Sequence, residues 1–185
     1  MTGPEDTTPR MIPAALLIHQ EGVIALIALV GVWLRDDGFA TAFAARTGLA
    51  ESILAGAAAG LVCFGLLWLV RGVGPLHDLE AWQRQMVAGW SAGDALAVAI
   101  FSGFAEEALI RALLQPLIGL VPAAAVFAVL HFVPDRRLWM WPLVALLLGV
   151  TIGWVFGRWG YPAAAATHVV INGLSLARFR TMARS

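Results

Sequence analysis

Lysine is absent from this chain, and charge of either sign is scarce. Twelve arginines face twelve acidic residues, so the formal charge is zero and charged residues make up only 13% of the sequence. That balance gives no basic surface for nucleic acid. A soluble domain carries about 25% charged residues, so little of this sequence suits contact with water. Cysteine is limited to Cys63, inside an apolar run, which excludes an intramolecular disulfide and any multi-cysteine metal site. The HExxH signature of helical zinc proteases is missing as well. An Ala-, Arg- and Gly-rich chain without lysine reads as the product of a high-GC bacterial genome, not as mechanism.

What the chain has instead is apolar length. It is 60% hydrophobic with a mean hydropathy of +0.81, and a helix crossing a bilayer needs roughly 20 such residues. Candidate segments run at about 13–34, 50–70, 92–117, 120–134, 139–157 and 161–179. The expected fold is all-α: a polytopic membrane helical bundle of about six segments. Two segments and a connector fill residues 1–90, and the last four segments form a core over 91–185. Segment four is short enough to be tilted, partly re-entrant or covered by its neighbours. "GVIALIALVGVWL" with "AFA" at 42–44 has the look of a secretory signal. The acidic leader and the distance of AFA from the apolar run predict that it is retained.

In the connector "GPLHDLEAWQRQMVAGW", Leu76, Leu79, Trp82, Met86 and Trp90 share one helical face, which predicts an interfacial amphipathic helix. Tryptophans such as Trp33, Trp68, Trp139 and Trp159 fall near segment ends, as in an aromatic belt. With six spans, one side holds Arg10, Arg71, Arg84, Arg136, Arg137, Arg178, Arg180 and Arg184, and the other Arg35, Arg46 and Arg158. The positive-inside rule then puts both termini in the cytoplasm, in a bacterial inner membrane. Small residues in "AGAAAG" at 55–60 and "AAAA" at 163–166 predict close helix approach.

Against this background the charges in "IFSGFAEEALIRALLQPLIGL", residues 100–120, need a reason. A charge at the bilayer centre costs at least ~2.5 kcal/mol. A four-residue step puts side chains on one helical face, so Glu107 meets Arg111, Phe127 meets His131, and His168 meets Asn172. Glu107 and Arg111 are expected to form an ion pair. Glu106 is turned about 100° away and has no partner along its helix. A partnerless carboxylate in a dry pocket is what a general base needs. Together with two histidines and an asparagine it suits water activation and oxyanion stabilisation. "HQE" at 19–21 is expected to hydrogen-bond at the interface, with lining of a substrate cavity as the alternative, and Ser91 with Asp94 to cap segment three.

At these residues the sequence resembles the CAAX-protease and bacteriocin-processing family (CPBP, or Abi) of intramembrane proteases. That family includes the Rce1-like prenyl-protein endopeptidases and the myxosortase-like branch. Its pattern, EExxxR, FxxxH and HxxxN in order, is matched by Glu106-Glu107…Arg111, Phe127…His131 and His168…Asn172 over about residues 91–180. The resemblance implies a glutamic-type endopeptidase acting on a membrane-associated protein or peptide within the lipid bilayer. Glu106 would be general base, His131 would polarise the water, and His168 and Asn172 would hold the oxyanion. Glu107, Arg111 and Phe127 would support them. The core histidines lie on different helices and Arg111 is close by, so no cofactor is expected. Were the enzyme zinc-dependent, Glu106, His131 and His168 would be the ligands. The rival from another class is a non-catalytic transporter or a peptide-immunity protein using the buried Glu and His residues for binding or proton relay.

Overall fold

The computed structural model describes residues 11–35 and 38–183. Among these the elements are helices, joined by one isolated backbone bridge between Ala45 and Gly160. In chain order they are α1 (Ala14–Trp33), α2 (Gly38–Ala42), α3 (Leu49–Val70), α4 (Gly74–Met86), α5 (Ala92–Glu107), a π-helical turn (Ala108–Leu114), α6 (Gln115–Ile118), α7 (Leu120–Leu130), a 3-10 turn (Arg136–Leu138), α8 (Met140–Trp159) and α9 (Tyr161–Met182). Each of the six expected segments is helical. Three stretches, Ala14–Trp33, Leu49–Val70 and Arg136–Trp159, are long and apolar enough to cross a membrane by themselves. At eleven residues, α7 reaches only about 16 Å, roughly half the hydrocarbon thickness, and its chain turns back at His131 instead of continuing to Pro134.

The outward faces of α1 and α3 expose Leu16, Val23, Leu26, Ile27, Leu54, Leu61, Leu66 and Leu69. Such a large apolar surface is untenable in water and fits contact with lipid. With no hydrophobic force to drive helices together in lipid, close packing and hydrogen bonds must hold them. The small residues of α3 and α9 meet this need. A Cβ added at Gly56 would sit 2.2 Å from the Ala163 carbonyl oxygen, so only glycine fits. Across the same contact, the buried Thr167 hydroxyl reaches the Gly56 carbonyl at 3.0 Å and that of Ala163 at 2.8 Å.

α9 packs between α3 and α5, α1 lies along α5 and the π turn, and α7 lies along α8. Ser91 and Asp94 form a capping box that starts α5. The π turn follows from Pro116, whose ring opposes the carbonyl four residues earlier and whose nitrogen cannot donate to it. That carbonyl belongs to Ala112, and Arg35 caps it at 2.7 Å and that of Leu113 at 3.1 Å. Arg35, expected on a loop, is therefore engaged with the bundle.

α4 is helical where foreseen, and its apolar face turns toward the bundle. Leu79 is buried, Trp82 lies 5.1 Å from Trp141, and Glu80 is joined to Arg178 of α9 at 2.7 Å.

Candidate active site

A cavity of about 530 Å³ runs from the middle of the bundle to α4. Its inner end is lined by Glu21, Ser102, Glu106, His131, His168 and Asn172, and its outer end by Leu79, Trp82, Met86 and Trp141. Four of these six inner residues belong to the three sequence motifs. They converge because α9 crosses α5 closely: a Cβ at Gly103 would fall 2.4 Å from Val169, which leaves His168 and Asn172 facing the last turns of α5.

Glu107 and Arg111 form the expected i,i+4 ion pair, with Nε donating to Oε2 at 2.8 Å and no exposed side-chain surface on either. The guanidinium also donates to Gln115 at 3.1 Å, which is itself anchored on the Gly153 carbonyl at 3.0 Å. Space for it exists because residue 153 is glycine: a Cβ there would sit 3.0 Å from Arg111 Nη1. What spacing did not reveal is a second partner. His168 Nδ1 donates to Glu107 Oε1 at 2.7 Å. So Glu107 is not reserved for Arg111, and His168 is held from its own far side.

Glu106 has a different setting. Its Oε2 is buried without a hydrogen-bond partner and lies 3.9 Å from His131 Nε2, beyond direct bonding. His131 Nδ1 sits 2.8 Å from the Phe127 carbonyl oxygen. Since a carbonyl can only accept, Nδ1 carries a proton, and in the neutral ring this leaves the lone pair of Nε2 for the cavity. Two acceptors then face one another, and a water placed ~2.8 Å from each would supply both hydrogens.

Phe127 is the hub between the two glutamate–histidine pairs. Its ring centroid is 4.5 Å from His131 and 5.9 Å from His168, and the Arg111 guanidinium lies 5.8 Å from it. The Asn172 amide donates to the buried Ser102 hydroxyl at 2.9 Å, which fixes its orientation and leaves its second N–H.

One lining residue, Ser102, went unrecognised in the sequence, and a second, Glu21, follows the less favoured of its two readings. Ser102 sits four residues before Glu106, a spacing that already put it on the same face. Glu21, expected at the interface, is 6% exposed and lies beside Glu106. The signal was the buried stripe Ala14, Glu21, Ala28 and Val32, seven, seven and four residues apart, on the one face of α1 turned from lipid.

Among the described residues no group of three His, Cys, Asp or Glu side chains is arranged to hold a metal ion. His168 Nδ1 is engaged by Glu107, which leaves Nε2 toward the cavity, and the buried Arg111 guanidinium pairs with that same carboxylate.

Residues 88–174 match the family described as type II CAAX prenyl endopeptidase Rce1-like. The match spans just under half of the chain and contains all three motifs. No curated protein and no solved structure matches the chain.

Proposed function

We propose that this chain, whose residues 88–174 are Rce1-like and so of an endopeptidase family, hydrolyses a peptide bond of a membrane-associated protein or peptide by a glutamate-activated water. The observation that carries this reading is the open Glu106–His131 pair, 3.9 Å apart at the inner end of the cavity. Water between them loses a proton to Glu106 as its oxygen attacks the scissile carbonyl carbon. The carbonyl oxygen, gaining the electron pair of the broken π bond, is held by Asn172 and by His168 Nε2. For Nε2 to donate, His168 must carry protons on both nitrogens, and the Glu107 carboxylate at 2.7 Å supplies the counter-charge. The C–N bond then breaks, the carbonyl re-forms, and Glu106 passes its proton to the leaving amine.

Zinc has no part in this reading, because His168 Nε2 is assigned to the oxyanion and the Arg111 guanidinium, paired with Glu107 behind it, disfavours a second cation nearby. The cavity reaches the bundle end that carries Arg71 and Arg178. By the positive-inside rule that end is cytoplasmic, in a bacterial inner membrane, with both termini on the same side. In a bacterial host the substrate is a bacterial peptide or a C-terminal membrane-sorting tail, as in the myxosortase-like branch, and not a prenylated protein.

The test is proteomics of the host with wild type or Glu106→Ala, seeking membrane-tethered proteins that stay uncleaved in the variant. Processing in isolated membranes should survive exhaustive chelation. A stoichiometric zinc whose removal stops cleavage and whose return restores it would overturn the metal-free route. Identical proteomes would overturn the protease.

A further inference from the structure

Glu21 enters the site from α1, outside the residues that match the family. Its carboxyl is buried, its Oε2 has no hydrogen-bond partner, and the same is true of Glu106 Oε2. The two carboxyl groups are within hydrogen-bonding reach of each other. Ionised, both could only accept, so contact between them requires a proton. The charged groups around the pair do not offer an alternative. His131, from the turn after α7, has Nδ1 tied to the Phe127 carbonyl. His168, from α9, and Arg111 both point at Glu107. His19, on α1 itself, is exposed. With His168 and Arg111 cationic and Glu106 and Glu107 anionic, the inner site is already neutral. An ionised Glu21 would add an uncompensated charge in a medium that cannot solvate it.

We propose that Glu21 is a positioning residue for Glu106: it keeps the one proton of this carboxyl pair, donates it to Glu106, and so orients the base carboxylate against His131. The idea rests on the proteolytic reading for its consequence, but not for the pair itself. α1 is fixed well enough to do this, since Arg35 near its end caps the π turn that follows Glu106.

The experiment compares Glu21→Gln, which keeps an N–H donor, with Glu21→Leu, which fills the space without one. Processing of the proteins that accumulate under Glu106→Ala should slow about 10- to 100-fold in Glu21→Leu and stay within about threefold in Glu21→Gln, as for loss and retention of a hydrogen bond to a charged group. Infrared spectra of the purified full chain in micelles at neutral pH should contain the carbonyl stretch of a protonated buried carboxyl, lost in Glu21→Gln. Wild-type processing in Glu21→Leu, equal slowing in both variants, or a band that survives Glu21→Gln would overturn the proposal. If Glu106→Ala itself leaves processing intact, the protease reading fails, and the band alone decides whether the pair exists.

Discussion

Glu107 meets two donors at hydrogen-bond distance, Arg111 at 2.8 Å and His168 at 2.7 Å, and shows no surface. Glu106, one residue earlier, faces His131 at 3.9 Å across a cavity and leaves an oxygen unpartnered. The same two residue types thus make a closed pair and an open pair a few ångströms apart, with Phe127 wedged between the histidines. A turn of about 100° per residue sends adjacent side chains to different neighbours. In the closed pair both Glu107 oxygens are engaged, so that carboxylate can hold charge and geometry but is not free to act as a base. The open pair lacks a donor, so it can take one from water.

Breaking each half should give different phenotypes. Glu106→Gln should lower processing ~10²–10⁴-fold, the usual span for a general base. Its unfolding midpoint in detergent should match wild type, since the Gln carbonyl can still accept from Glu21. Glu107→Gln should do the reverse in kind: it strands Arg111 and His168, costing ~3–5 kcal/mol in a denaturation series. A Glu106→Gln protein that unfolds early, or a Glu107→Gln protein as stable as wild type, would erase the distinction.

Next in size is Asn172→Ala, which removes one proposed oxyanion donor and should slow processing ~10²–10³-fold with little change in stability. Ser102→Ala frees that amide without removing it. The expected loss is smaller, about fivefold, as for one hydrogen bond of roughly 1 kcal/mol. Equal effects from the two would mean that orientation, not donation, is what Asn172 contributes.

The smallest effect lies outside the membrane, in the turn that leads from His131 to α8. There the Arg137 side chain, hydrogen-bonded to Asp135 at 2.7 Å, holds its carboxyl below the ordinary value of 3.8. A depressed folded-state value means the contact contributes above pH 3.8 and is lost as pH falls through the lower folded value. The pair is solvent-exposed and screened. Carboxyl NMR should place the Asp135 midpoint below 3.8, and Asp135→Asn should leave processing at neutral pH unchanged. A pH-sensitive Asp135→Asn phenotype would couple this turn to the open pair.

Much of this was written locally. Apolar run length dictated the helices, the four-residue step dictated the Glu107–Arg111 pair, and Ser91 with Asp94 dictated the start of α5, because each depends on residues within one or two turns of each other. The close approach of α3 and α9 was legible too, since only small residues allow it. Tertiary structure alone decided the rest. The spacing within "HVVIN" pairs His168 with Asn172, yet His168 bonds to Glu107, 61 residues away, and Asn172 to Ser102, 70 away. Glu21 was read as interfacial ahead of cavity-lining, and the apolar face of α4 as interfacial, because position and spacing mark a face and not what covers it. Both turn inward onto the cavity, since α1 is packed along α5 and α4 is tied to α9 through Arg178. Periodicity within a helix says which side chains travel together; only the crossing of helices far apart in sequence says what they meet.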